Sequence, residues 1–137
     1  MSPVEHVLRS YRTWAVVGCS PDPRRDSHRI AALLQRHGYR VIPVNPACDE
    51  VLGERCYPSV PAIPAEEDVE VVDVFRRSAA AGAHVDEAVA AGAKAVWLQL
   101  GVHAGADAVA RARAAGLHVV EQRCPAIELP RLAQAQP

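Results

Sequence analysis

Five short segments bring together residues that could hold an anion and a flat ring. The first reads Val17-Gly18-Cys19-Ser20-Pro21-Asp22-Pro23-Arg24-Arg25-Asp26-Ser27-His28. Gly18 permits close backbone approach and Ser20 offers a hydroxyl. Asp26 or Ser27 can cap a helix whose free N–H groups attract negative charge, so the turn suits a phosphate. An ordinary strand-to-helix turn with a surface arginine pair would carry the same residues. Neither of the two common glycine-rich phosphate loops, G-x-G-x-x-G or G-x-x-x-x-G-K-S/T, occurs in the chain.

The other four segments follow the same pattern of an apolar run and then a polar turn. Asn45-Pro46 stands where a nicotinamide site usually carries an acid for the ribose hydroxyls, which counts against NAD, although an unliganded Asx turn reads alike. Phe75, the single phenylalanine, precedes Arg76 and Arg77; it can cover a heteroaromatic ring while Arg76 meets phosphate, or it can be a core residue beside solvated arginines. Gln99 and Gly101 pair an amide with a turn that lets a ligand come near, and Trp97 before them reads as core. Cys124-Pro125 closes the series, with Cys124 read as a small buried hydrophobe.

Catalytic and metal chemistry find less support. No nucleophile, base and orienting group occur together, and His103 is not expected to carry phosphate. Cys19, Cys48, Cys56 and Cys124 form no C-x-x-C pair and have no metal-ligand spacing to the six histidines, so no metal site is expected. At the first turn, a helix N-terminus could lower the Cys19 pKa and let its thiol form a mixed disulfide with a thiol ligand; a buried loop cysteine is the plainer reading.

The elements that must position these turns are legible in the periodicity. Apolar runs at Trp14–Val17, Arg40–Val44, Glu70–Phe75, Ala95–Leu100 and Leu117–Glu121 are short and nearly continuous, as in strands buried on both faces. Helical patterns over Ser27–His37, His84–Ala91 and Ala106–Ala115 lie between them, and each stops at a glycine. The alternation predicts an α/β, Rossmann-like, doubly wound parallel five-stranded sheet in the order 3-2-1-4-5 with helices on both faces. Ligands of such a sheet bind beyond the carboxyl ends of the strands at the switch point, here between strands 1 and 4. The reading gives one domain over residues 1–137, with a core of about 13–132, an appended helix at 3–12, a proline-rich loop at 45–68 with a short turn near Ser59–Ile63, and a frayed tail at 133–137.

Composition narrows the partners. With 137 residues the chain is about one domain long, and a net charge of −1 supplies no global field for nucleic acid or anionic lipid. Neither a nucleic-acid nor a membrane partner is expected. Any anion site must be local, and every basic residue except Lys94 is an arginine, whose planar fork suits phosphate. Without a signal pattern or a membrane-length apolar run, the chain is expected in the cytosol with its thiols reduced.

Taken in order, the turns resemble those of the CoA-binding domain family, small stand-alone bacterial and archaeal proteins related to the CoA-binding domain of the succinyl-CoA synthetase alpha subunit. The resemblance spans roughly residues 13–132. It is carried by Ala15-Val16-Val17-Gly18-Cys19-Ser20, Gly38 through Pro46, Gly53-Glu54 with Tyr57-Pro58-Ser59, Asp73-Val74-Phe75-Arg76, Trp97-Leu98-Gln99-Leu100-Gly101 and Cys124-Pro125-Ala126-Ile127-Glu128. It implies a bound CoA or acyl-CoA whose phosphates lie near Gly18, Cys19, Ser20 and the start of the Ser27 helix, neutralised by Arg24, Arg25 and Arg76. Its adenosine would lie over Asn45-Pro46 and Phe75-Arg76, with Gln99, Gly101, Cys124 and Pro125 closing the cleft. Many relatives carry a basic residue directly after the Asn-Pro step; Ala47 stands there, so the 3′-phosphate has no assigned partner. The function implied is non-catalytic binding of CoA or acyl-CoA. The alternatives are an acyl-CoA ligase or transferase subunit acting with a partner chain, and a weak NAD(P)-binding oxidoreductase. A protein partner is compatible with this reading, and the oligomeric state leaves no pattern. Gly18→Val is expected to abolish binding and leave the fold intact.

Overall fold

Continuous apolar runs require burial on both faces, and the central strands obtain it. In β1 (Thr13–Val17), Ala15 and Val17 pack into one core cluster while Trp14 and Val16 pack into another on the opposite side. The computed structural model describes residues 2–135. After α1 (Pro3–Ser10) and β1 come α2 (Asp26–Arg36), β2 (Arg40–Val44), β3 (Glu50–Val51), β4 (Glu54–Arg55), β5 (Val71–Val74), α3 (Ser78–Ala90), β6 (Ala95–Leu98), α4 (Ala106–Ala114), β7 (His118–Glu121) and α5 (Pro125–Ala135). Helices α3 and α4 cover one face of the sheet; α1, α2 and α5 cover the other, where Trp14 and Trp97 meet with ring centroids 5.4 Å apart. Trp97 is fully buried, as its apolar neighbours imply.

The main sheet is parallel throughout and runs β2-β1-β5-β6-β7. It is doubly wound as expected, but counted over the five main strands its order is 2-1-3-4-5, which corrects 3-2-1-4-5. The reason lies in the proline-rich connection. Asn45 N–H donates to the Tyr57 carbonyl at 2.9 Å and Tyr57 N–H donates to Pro43 O at 3.1 Å, so residues just after the β3-β4 hairpin occupy the outer edge of β2. With that edge filled, the third main strand, β5, pairs with β1 on its other side. The switch point therefore falls between β1 and β5, not between the first and fourth main strands.

Boundaries differ where small residues blur the periodicity. Helix α3 begins at Ser78, six residues before the apolar pattern becomes visible, because Ala79, Ala80, Gly82 and Ala83 carry no large side chain to mark a face. The turn at Ser59–Ile63 is present, closed by N–H bonds from Ala62 to Ser59 O and from Ile63 to Val60 O, and a separate 3-10 turn follows at Ala65–Glu67. Residues 133–135, expected in a frayed tail, belong to α5; Leu129 and Leu132 pack on the tryptophan-side core and hold the helix despite Pro130. Residues 136 and 137 of that expected tail lie outside the described residues. Among the described residues, no helix is long and apolar enough to cross a membrane.

Candidate binding groove at the switch point

Gly18 ends β1 at φ +81, a left-handed conformation that glycine adopts freely. Its N–H donates to Val44 O at 2.9 Å and that of Cys19 to the same oxygen at 3.3 Å, so the first two amides of the turn are already bound. The next part of the turn binds itself. Ser20 N–H donates to Ser27 Oγ at 3.0 Å, and Ser20 Oγ accepts from Asp22 N–H at 3.0 Å. Neither Asp26 nor Ser27 is the cap of α2. Arg25 holds that position in extended conformation, and no side chain bonds the first helical N–H groups. That helix end therefore presents uncapped donors and the positive end of its dipole.

A cleft of about 780 Å³ opens beside this helix end. Gly18, Arg25, Ser27, Phe75, Arg76, Gln99 and Cys124 from the sequence reading line it. A second hollow of about 360 Å³ shares Gly18, Arg25, Phe75 and Arg76 with the first and adds Asn45, Pro46, Pro58, Ser59 and His84. The shared residues join the two into one groove over the β1–β5 gap. Arg25, Arg29, Arg36, Arg76 and Arg77 line the larger part, against the single carboxylate of Asp26, which pairs with Arg29. Among the described residues, no carboxylate lies within ion-pair distance of Arg25, Arg36, Arg76 or Arg77. A chain with net charge −1 thus concentrates cations at one rim.

At the base of the larger cleft, Gln99 Nε2 donates to Asp73 Oδ1 at 2.7 Å. Asp73 is fully buried within β5, and burial pushes its carboxyl up to about 8. Its second oxygen, Oδ2, has no partner among the described residues.

Five of the sequence-assigned residues do not line the groove. Cys19 is fully buried in the tryptophan-side core and burial raises its thiol to about 12, so the plainer reading of a buried loop cysteine holds and the alternative of a lowered pKa and a mixed disulfide does not. Ser20 spends its hydroxyl and amide on the internal bonds described above. Arg24 points to solvent, its Nε and Nη2 bonding both oxygens of Asp22 at 3.1 and 3.0 Å. Gly101 is clamped from outside, its N–H on Gln122 Oε1 at 2.9 Å. Pro125 is buried at the first turn of α5, where a missing N–H costs nothing. Asn45 does line the groove and is also structural: Nδ2 donates to Cys19 O at 3.0 Å, and Oδ1 accepts from Ala47 N–H at 2.9 Å in an Asx turn.

The structure adds Arg29, Leu33, Arg36, Arg77 and His84 to the lining. Four of the groove residues had a readable signal, since positions 25, 29, 33 and 36 recur three or four apart and so share one helical stripe. His84 had none; it reaches the groove from α3, where its Nδ1 also meets Glu87 Oε1 at 2.7 Å. Asp73 carries no sign of its burial in the Asp73-Val74-Phe75-Arg76 motif. Among the described residues, no cluster of three or more His, Cys, Asp or Glu could hold a metal ion.

A family model described as a CoA binding domain matches residues 12–130. The uncharacterised protein YneT of Bacillus subtilis is 35% identical over 99 residues, covering 72% of this chain and 72% of that protein. A hypothetical protein from Pyrococcus horikoshii OT3, known from a solved structure, is 40% identical with a TM-score of 0.89, over 97% of this chain and 93% of that one. The ADP-forming acetate–CoA ligase II of Archaeoglobus fulgidus is 36% identical over 62 residues, which are 44% of this chain and only 9% of the ligase.

Proposed function

The chain belongs to the CoA-binding domain family, and on that premise we propose that it binds CoA or acyl-CoA in the groove over the β1–β5 gap, without catalysing a reaction by itself. The observation that carries this reading is the set of unpaired arginines that line the groove, Arg25, Arg76 and Arg77 with Arg36 at the far end of α2, together with the uncapped start of that helix. Several phosphate charges find guanidinium forks and helix N–H donors there together. The diphosphate lies at Gly18, Arg25 and Arg76, the residues shared by both hollows. The adenosine takes the Asn45-Pro46 side against Phe75, and the pantetheine arm follows α2 toward Gln99 and Cys124. Arg24 is replaced in this reading by the α2 stripe. Such a role is a cytosolic one, where all four free thiols stay reduced.

Isothermal titration with CoA and with NAD tests the proposal. A binding isotherm with CoA at least tenfold tighter than with NAD is expected; no heat with CoA, or tighter NAD binding, overturns it.

A second reading, a module acting with a separate ligase chain, is favoured by the match to part of the Archaeoglobus acetate–CoA ligase. Acyl-CoA turnover that arises only after a partner chain is added would support it.

A further inference from the structure

Strand β5 carries Val71, Val72 and Val74, all fully buried, and among them sits an equally buried aspartate. Asp73 costs the fold free energy, because burial disfavours its charge and Oδ2 has no partner. An apolar residue at that position would avoid the cost. What the acid does supply is one bond: Oδ1 accepts from Gln99 Nε2 at 2.7 Å. That bond sets the Gln99 amide with its nitrogen inward. Oε1 makes no hydrogen bond among the described residues, and Gln99 lines the groove together with Leu33, Leu100 and Val102.

The geometry points to a division of roles in which Gln99 selects the ligand by accepting a hydrogen bond from it through Oε1, while Asp73 is the positioning residue that keeps that oxygen outward. The donor it selects is an amide N–H of the pantetheine arm. Phosphates are matched by the arginines, whereas the walls beside Gln99 are aliphatic and suit a slender chain whose polar groups are few amides. This inference rests on the CoA reading and adds a selecting pair to it.

The test titrates the wild type, Gln99→Met, Asp73→Val and the double variant with CoA, 4′-phosphopantetheine and adenosine 3′,5′-bisphosphate, and melts each protein without ligand. Each single variant is expected to lose about tenfold in affinity for CoA and phosphopantetheine, the worth of one hydrogen bond to a fixed acceptor. Binding of the bisphosphate stays unchanged. The double variant loses no more than Gln99→Met alone, since Asp73 acts through Gln99, and it melts no lower than the wild type because an unpartnered buried acid has been removed. Additive losses, an equal loss with the bisphosphate, unchanged affinities across the variants, or a lower melting temperature of the double variant would overturn the inference. A wild type that binds CoA beside insensitive variants sinks this inference alone, whereas a wild type that binds no CoA sinks the CoA reading and the inference with it.

Discussion

The carbonyl oxygen of Phe75 occupies the space that a side chain at Gly18 would need: a Cβ there would lie 2.3 Å from it. Together with φ +81, this makes Gly18 a structural joint between the turns that follow β1 and β5. The expectation that Gly18→Val spares the fold is therefore corrected. Even Gly18→Ala must either push the β5 turn aside or strain the backbone, and it is expected to lower stability by about 2 kcal/mol or more. Urea unfolding of the variant against the wild type checks this; an unchanged midpoint would show that the turn yields at no cost.

Arginine substitutions separate the groove from the surface. Arg25→Ala and Arg76→Ala are each expected to weaken CoA binding about tenfold, as loss of a charge-assisted contact does. The effect should shrink between low and high salt, because part of it is long-range attraction. Arg24→Ala, whose guanidinium is held by Asp22 outside the groove, should change affinity less than about threefold. Titrations at two ionic strengths decide; equal effects at all three positions would place no special role on the rim.

Thiol reactivity should rank by exposure. Cys19 is buried with its thiol pushed up to about 12, while Cys124 lines the cleft and is half-buried. Iodoacetamide at neutral pH is expected to label Cys124 within the native lifetime and Cys19 only on unfolding. Peptide mass spectrometry over a time course measures both rates, and bound CoA should slow the labelling of Cys124.

Asp73 gives stability a definite pH slope. Its carboxyl is raised in the folded chain from 3.8 to about 8, so between those values the native state holds a proton that the unfolded chain releases. Fewer protons on the unfolded state means stability falls as pH rises. Its contribution is complete below about pH 4, declines across the window and levels off above about 8, a total on the order of several kcal/mol. Urea midpoints from pH 5 to 9 should show this slope in the wild type and lose it in Asp73→Asn. A parallel slope in both proteins would assign the dependence to other groups.

The sequence was informative where packing is local and repetitive. Valine-rich runs such as Val71–Val74 are strands because each face is buried, and the glycine after α2, α3 and α4 marks where the next strand begins, so element type and the parallel sheet followed directly. The strand order did not follow, because it depends on which edge of β2 is free, and that is decided by the segment around Tyr57 after a hairpin of two-residue strands, too short to leave a periodic signal. In the groove, glycine, phenylalanine and arginine at the strand ends could be read from position alone. What could not be read was how a residue spends its hydrogen bonds. Ser20 and Arg24 look available in the sequence and are consumed by neighbours, while Asp73 looks like an ordinary motif residue and is an unpaired buried acid.

The segment around Tyr57 that lies along β2 has a further effect. A parallel sheet ends in a row of open amides and carbonyls, onto which a strand from another molecule can add. With Asn45, Pro43 and Tyr57 already exchanging those bonds, the C-terminal end of that margin is closed to a strand added from another molecule.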